Sequence, residues 1–74
     1  MARRIDARGR SCPVPILMVQ RTIKEIAPGE EIEITADDRA FPQDIQAWCL
    51  HSKNALIEVQ HLGTTAVARI RRGG

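Results

Sequence analysis

Three observations predict an α/β two-layer sandwich of order βαβαββ. Glu31-Ile32-Glu33-Ile34-Thr35-Ala36 alternates strictly, two other segments space their apolar residues by three and four, and Gly63-Thr64 marks a turn near the end. One-sided alternation gives each strand a wet and a buried face. A four-stranded mixed sheet therefore carries both helices on a single face. At 74 residues the chain, 1–74, makes one domain.

The elements follow in order. Ile5 sits in a polar-flanked stretch, Arg3 to Ala7, that serves as a first strand, and Gly9 supplies the free backbone of a sharp turn. From Pro13 the period changes: Ile16, Val19, Ile23 and Ile26 line one face of a helix that Pro28-Gly29 stops. Asp37-Asp38 break the second strand. Phe41, Ile45, Trp48 and Cys49 share a second helical face, with Pro42 at an early position and Asn54 at the C-terminal cap. Ala55 to Leu62 and Thr65 to Arg71 form the last two strands, with Ala66, Ala68 and Ile70 turned inward.

Composition narrows the function classes. With 43% hydrophobic residues, one Trp, one Phe and no Tyr, the core is aliphatic and thin, and a cleft with its own lid is not expected. The net charge of +2, from 11 Lys+Arg against 9 Asp+Glu, is too small to argue nucleic acid. Basic residues crowd both ends (Arg3, Arg4, Arg8, Arg10; Arg69, Arg71, Arg72) and acids gather in the middle, a layout suited to an acidic partner or anionic cargo. No apolar run approaches the ~20 residues of a membrane span and no leader is legible, so the expected compartment is the cytoplasm, with no membrane partner and both cysteines as thiols.

The chemistry is expected in Ser11-Cys12-Pro13-Val14-Pro15. If Pro13 is the first helical residue, Cys12 is the N-cap, and the two prolines remove amides that have no intrahelical partner. The Val14 amide then points back at the sulfur, and the positive helix end favours the thiolate. The expected consequence is a lowered thiol pKa, with Arg8 and Arg10 pushing the same way. No second cysteine stands two residues on to run a disulfide cycle, and no general base is near in sequence. What remains is a nucleophile that accepts a group and hands it on. Sulfane sulfur suits it, because a persulfide is anionic and gains from the same donors.

These residues carry a resemblance. Asp6-Ala7-Arg8-Gly9, Cys12-Pro13-Val14-Pro15 and the following amphipathic helix resemble the TusA (SirA-like) family of sulfur carriers. The likeness continues through Pro28-Gly29-Glu30, Asp37-Asp38, Asp44-Ile45, Trp48-Cys49 and Ile70-Arg71-Arg72-Gly73-Gly74, essentially the whole chain. It implies a sulfurtransferase acting as a persulfide relay, with Cys12 loaded by a cysteine desulfurase, a rhodanese-like protein or another sulfur donor. An acceptor protein then receives the sulfur, for tRNA thiolation, cofactor sulfuration or sulfur oxidation. No cofactor beyond the covalent persulfide is implied. Val14, where the tRNA-thiolating member often has an acid, and Arg39-Ala40-Phe41-Pro42 depart from the family pattern.

Other features have plainer readings. Cys49 shares the core-facing stripe of Phe41 and Ile45. A zinc site from Cys12, Cys49, His51 and His61 is not expected, since residues 49 and 51 point to opposite sides of a helix. Leu17 and Met18 either pack peripherally or form an apolar rim for a partner, framed by Arg8, Arg10, Arg21 and Lys24. Gly73-Gly74 reads as a frayed end, not a thiocarboxylate tail. The alternatives in other classes are a thiol-based regulatory module and a nucleic-acid-binding module. Direct nucleic-acid contact is disfavoured, because the strands offer no aromatic stacking platform.

Overall fold

The computed structural model describes residues 3–74, so Met1 and Ala2 of the expected 1–74 domain lie outside the described residues. The six elements come in the predicted order: β1 (Arg3–Asp6), α1 (Val14–Ile23), β2 (Glu31–Ala36), α2 (Phe41–Ser52), β3 (Ala55–Leu62) and β4 (Thr65–Arg71). The sheet order is β1-β2-β4-β3. β1 is parallel to β2, and β4 is antiparallel to both of its neighbours.

It follows that β3 is parallel to β2 as well, with β4 filling the place between them. Both helices are then crossovers between parallel strands, and both step across the sheet in the same direction. Such crossovers are almost always right-handed, which puts α1 and α2 on one face. The covered face is aliphatic: Ile32, Ile34 and Ala36 of β2 stand opposite Ile70, Ala68 and Ala66 of β4. α1 buries Pro15, Val19 and Ile23 against it, and α2 buries Phe41, Ile45 and Cys49. Each set repeats every four residues, and each large aliphatic or aromatic member contributes about 1.5–3 kcal/mol by leaving water. The free face carries ion pairs instead, including Arg69 with Glu58 at 3.0 Å and Arg71 with Glu31 at 2.9 Å. These are exposed and contribute little.

Several boundaries differ from expectation. β1 ends at Asp6 instead of Ala7, although the Ala7 amide still donates to the Thr35 carbonyl at 2.7 Å. α1 ends at Ile23, well before Pro28. The Glu25 amide turns back to the Thr22 carbonyl at 2.9 Å, and Glu30 takes the Ala27 amide at 2.6 Å, so a turn replaces the last helical residues while Ile26 stays buried. α2 is closed by Lys53, in the left-handed conformation at φ 62°, and not by Asn54. Gly73 is not frayed. Its amide donates to Asn54 Oδ1 at 2.8 Å, while the Arg72 amide donates to the Glu30 carbonyl at 2.9 Å.

Candidate functional site

Because β1, β2 and β3 run in one direction, the loops that leave them open at a single end of the sheet. The N-termini of α1 and α2 lie at that end too. It holds the β1–α1 loop with Cys12, the β2–α2 loop with Asp37 and Asp38, and the first turn of α2 with Asp44. The Gly9 amide donates to Asp37 Oδ1 at 2.9 Å and ties the two loops together. Gly9 adopts φ 81°, a conformation that favours glycine.

The helix start is shifted by one residue from the expected place. Pro13 is the N-cap, after a cis Cys12–Pro13 bond, and Val14 and Pro15 open α1. The Val14 amide donates to the Ser11 carbonyl at 2.9 Å, so it is not aimed at the sulfur. Arg8 is held by Asp6, with Nε on Oδ1 and Nη2 on Oδ2, each at 2.9 Å. Two of the groups expected to stabilise a thiolate are therefore engaged elsewhere.

The expected lowering of the Cys12 pKa is overturned. The thiol is half-buried and packs against the core, and its pKa is pushed up to about 12. Partial burial is the largest cause, and the negative charges of Asp44 and Asp38 add to it. The Ala40 amide donates to Asp38 Oδ1 at 2.8 Å and sets the direction of that carboxylate. The loop that carries Asp38 and the first turn of α2 that carries Asp44 share this end of the sheet with Cys12, a juxtaposition that the sequence reading did not assign. The signal was present: two parallel crossovers with helices on one face must bring both strand-to-helix junctions together.

Cys49 lies in the core at 3% exposure, with its thiol pushed up by burial. Both cysteines are free. His51 and His61 are exposed, and among the described residues no three His, Cys, Asp or Glu side chains gather as a metal group.

The structure separates the two apolar rim residues. Met18 is half-buried and packs on the core, whereas Leu17 is 53% exposed. Val14, Leu17, Arg21 and Lys24 are all exposed and follow a three-four-three spacing. They form one outward stripe that begins beside Cys12 and runs from apolar to basic. Arg10 is also exposed, in the loop before the cysteine. Phe41 is fully buried and Trp48 is half-buried on α2, so no aromatic residue lies on the free sheet face.

A half-buried cysteine at the helix end of a βαβαββ sandwich, with the second thiol sealed in the core, defines a small α/β domain with one accessible thiol. The family model described as Sulfurtransferase TusA matches residues 3–72. The chain belongs to the TusA family, whose members act as sulfur carriers between donor and acceptor proteins. A solved structure, the SirA-like protein from Desulfitobacterium hafniense, is similar in fold, with a TM-score of 0.83 and 20% identity. The match covers 96% of this chain and 97% of that one. No described helix is long and apolar enough to cross a membrane.

Proposed function

We propose that the protein carries sulfane sulfur as a persulfide on Cys12, accepting it from a donor protein and relaying it to an acceptor in the cytoplasm. The observation that carries this reading is the contrast between the two thiols. Cys49 is sealed in the core, whereas Cys12 stands in the loop before α1 with part of its surface open.

In loading, the Cys12 thiolate attacks the outer sulfur of a donor persulfide. A bond forms between Sγ and that sulfur, the donor's S–S bond breaks, and the electron pair stays on the donor's thiolate. In relay, an acceptor thiolate attacks the carried sulfur and the pair returns to Cys12 Sγ. No external oxidant or reductant is required. Cys12, Pro13, Val14 and Pro15 form the transfer site, with a cysteine desulfurase or a rhodanese-like protein as donor. Docking uses the outward stripe of Val14, Leu17, Arg21 and Lys24, with Arg10 beside it. Arg8, exposed and paired with Asp6, and the half-buried Met18 flank that stripe.

The test is intact mass after incubation with a sulfane-sulfur donor. The wild-type chain should gain one sulfur that a reductant removes, and Cys12→Ser should gain none. Retention of the adduct in Cys12→Ser contradicts the proposal.

A further inference from the structure

The two edges of the sheet are built differently. β1 is four residues long and begins with Arg3 and Arg4, whereas β3 runs for eight residues and holds no proline, lysine or arginine. Short length, basic side chains and proline keep an open edge from pairing, and β3 has none of them. Its one interruption is an extra residue, Ile57, where the register slips between Leu56 and Glu58. Beyond that bulge, residues 58–62 pair regularly with β4 on one side. Among the described residues no strand pairs with the other side.

Charge and burial say what kind of strand fits there. On the free face the register lines up Arg4, Glu33, Arg69 and Glu58, one from each strand in the order β1-β2-β4-β3. The sign alternates across the whole sheet, with Arg4 3.9 Å from Glu33 and Arg69 3.0 Å from Glu58. The row stops at the open edge on an acid. On the helix face, Leu56 and Val59 are half-buried against the core. Beside them a hollow of about 590 Å³ is lined by Cys49, Leu50, Lys53 and Leu56, and Leu50 is 78% exposed. The next position outward is therefore suited to a base on one face and to apolar groups on the other.

We infer that the β3 edge docks an extended segment of a partner protein, added as a fifth strand, whose basic residue stands opposite Glu58 and whose neighbours on either side of that residue are apolar. Successive side chains of a strand point to opposite faces. A base on the free face thus puts its two neighbours on the helix face, over Val59 and toward the hollow. The backbone ladder supplies affinity, and these side chains supply selection. A second copy of the chain does not meet the requirement. β3 carries no lysine or arginine to set against Glu58, and its His61 stands opposite Ala66, on the helix face. The inference is independent of the carrier role of Cys12.

The probe is a capped synthetic peptide of alternating valine and threonine, with lysine in place of the central threonine. It is added to the isotope-labelled chain, and amide shifts and hydrogen exchange are followed residue by residue by NMR. Binding should shift and protect amides of β3 and leave those of β1 unchanged. A glutamate in place of the peptide's lysine should weaken binding by about threefold or more, since it sets like charges opposite one another. Glu58→Gln should remove that discrimination, and Glu58→Lys should reverse it. The comparison of the two peptides on the wild-type chain stands without either variant. No binding of the lysine peptide at millimolar concentration, equal affinity for both peptides, or shifts confined to β1 or the helices overturns the inference. Protection of β3 that rises with protein concentration in the absence of peptide gives the edge to a second copy and overturns it too.

Discussion

The Val14 amide donates to the Ser11 carbonyl, 2.9 Å away, instead of to the sulfur of Cys12 between them. That one hydrogen bond changes what the helix start offers. With the amide engaged elsewhere, partial burial is the main influence on the thiol, which is held neutral instead of ionised.

Pro15 should prove a packing residue, and Val14 a surface one. Pro15 is fully buried in the second position of α1, whereas Val14 is 39% exposed in the first. Pro15→Ala should lower stability by about 1–2 kcal/mol through lost apolar burial. Val14→Ala should stay within about 0.5 kcal/mol. Urea unfolding of the two variants checks both values, and equal losses would contradict the assigned faces.

Gly73 should tolerate no side chain. A Cβ there would lie 2.1 Å from the Lys53 carbonyl oxygen, while one on Gly74 meets nothing within 4 Å. Gly73→Ala should therefore cost about 1–3 kcal/mol by forcing the strand end away from the α2 cap. Gly74→Ala should be silent. A thermal melt of each variant decides, and a silent Gly73→Ala would remove the pinned end.

The Asp6–Arg8 pair predicts a low carboxylate titration. The Arg8 side chain binds both Asp6 oxygens, its amide adds a third bond, and the Asp6 pKa is lowered to about 2. Since the folded value is the lower one, the pair's contribution is present above the ordinary value of 3.8. It is lost as pH falls through about 2. Side-chain carboxyl NMR should find Asp6 titrating near there, and Arg8→Ala should return it toward the ordinary range.

Docking should separate charge from grease. Reversing Arg21 and Lys24 to Glu should slow sulfur acceptance from a donor protein by about tenfold at low salt, with the difference shrinking as ionic strength rises. Loading by a small-molecule persulfide should be unaffected. Leu17→Ala should shorten the lifetime of the complex more than it slows encounter. Equal loss with protein and small-molecule donors would mean that the charges act on Cys12 itself.

Much of this architecture was legible in the sequence, and the reasons differ by element. β2, β3 and β4 were read to the residue, because alternation on a one-sided sheet has a strict period and Gly63-Thr64 ends it cleanly. Helix ends were less legible. Ile26 keeps the apolar period after the backbone has left the helix, so periodicity reports burial and not hydrogen bonding. Cys12 was singled out by its prolines. Its environment was misjudged because Arg8, near in sequence, is paired with Asp6, while partial burial, which sequence does not show, pushes the thiol up. Local order in a chain does not rank the charges that surround a loop residue; topology does.

The most direct test of the central claim locates the carried sulfur. The chain is loaded with a sulfane-sulfur donor, capped with an alkylating reagent, digested and sequenced by tandem mass spectrometry. The added sulfur should map to Cys12, with unmodified Cys49 and unmodified Gly74, and it should leave when an acceptor thiol is added. A sulfur found on Cys49 or on the Gly74 carboxylate, with Cys12 bare, would contradict the account.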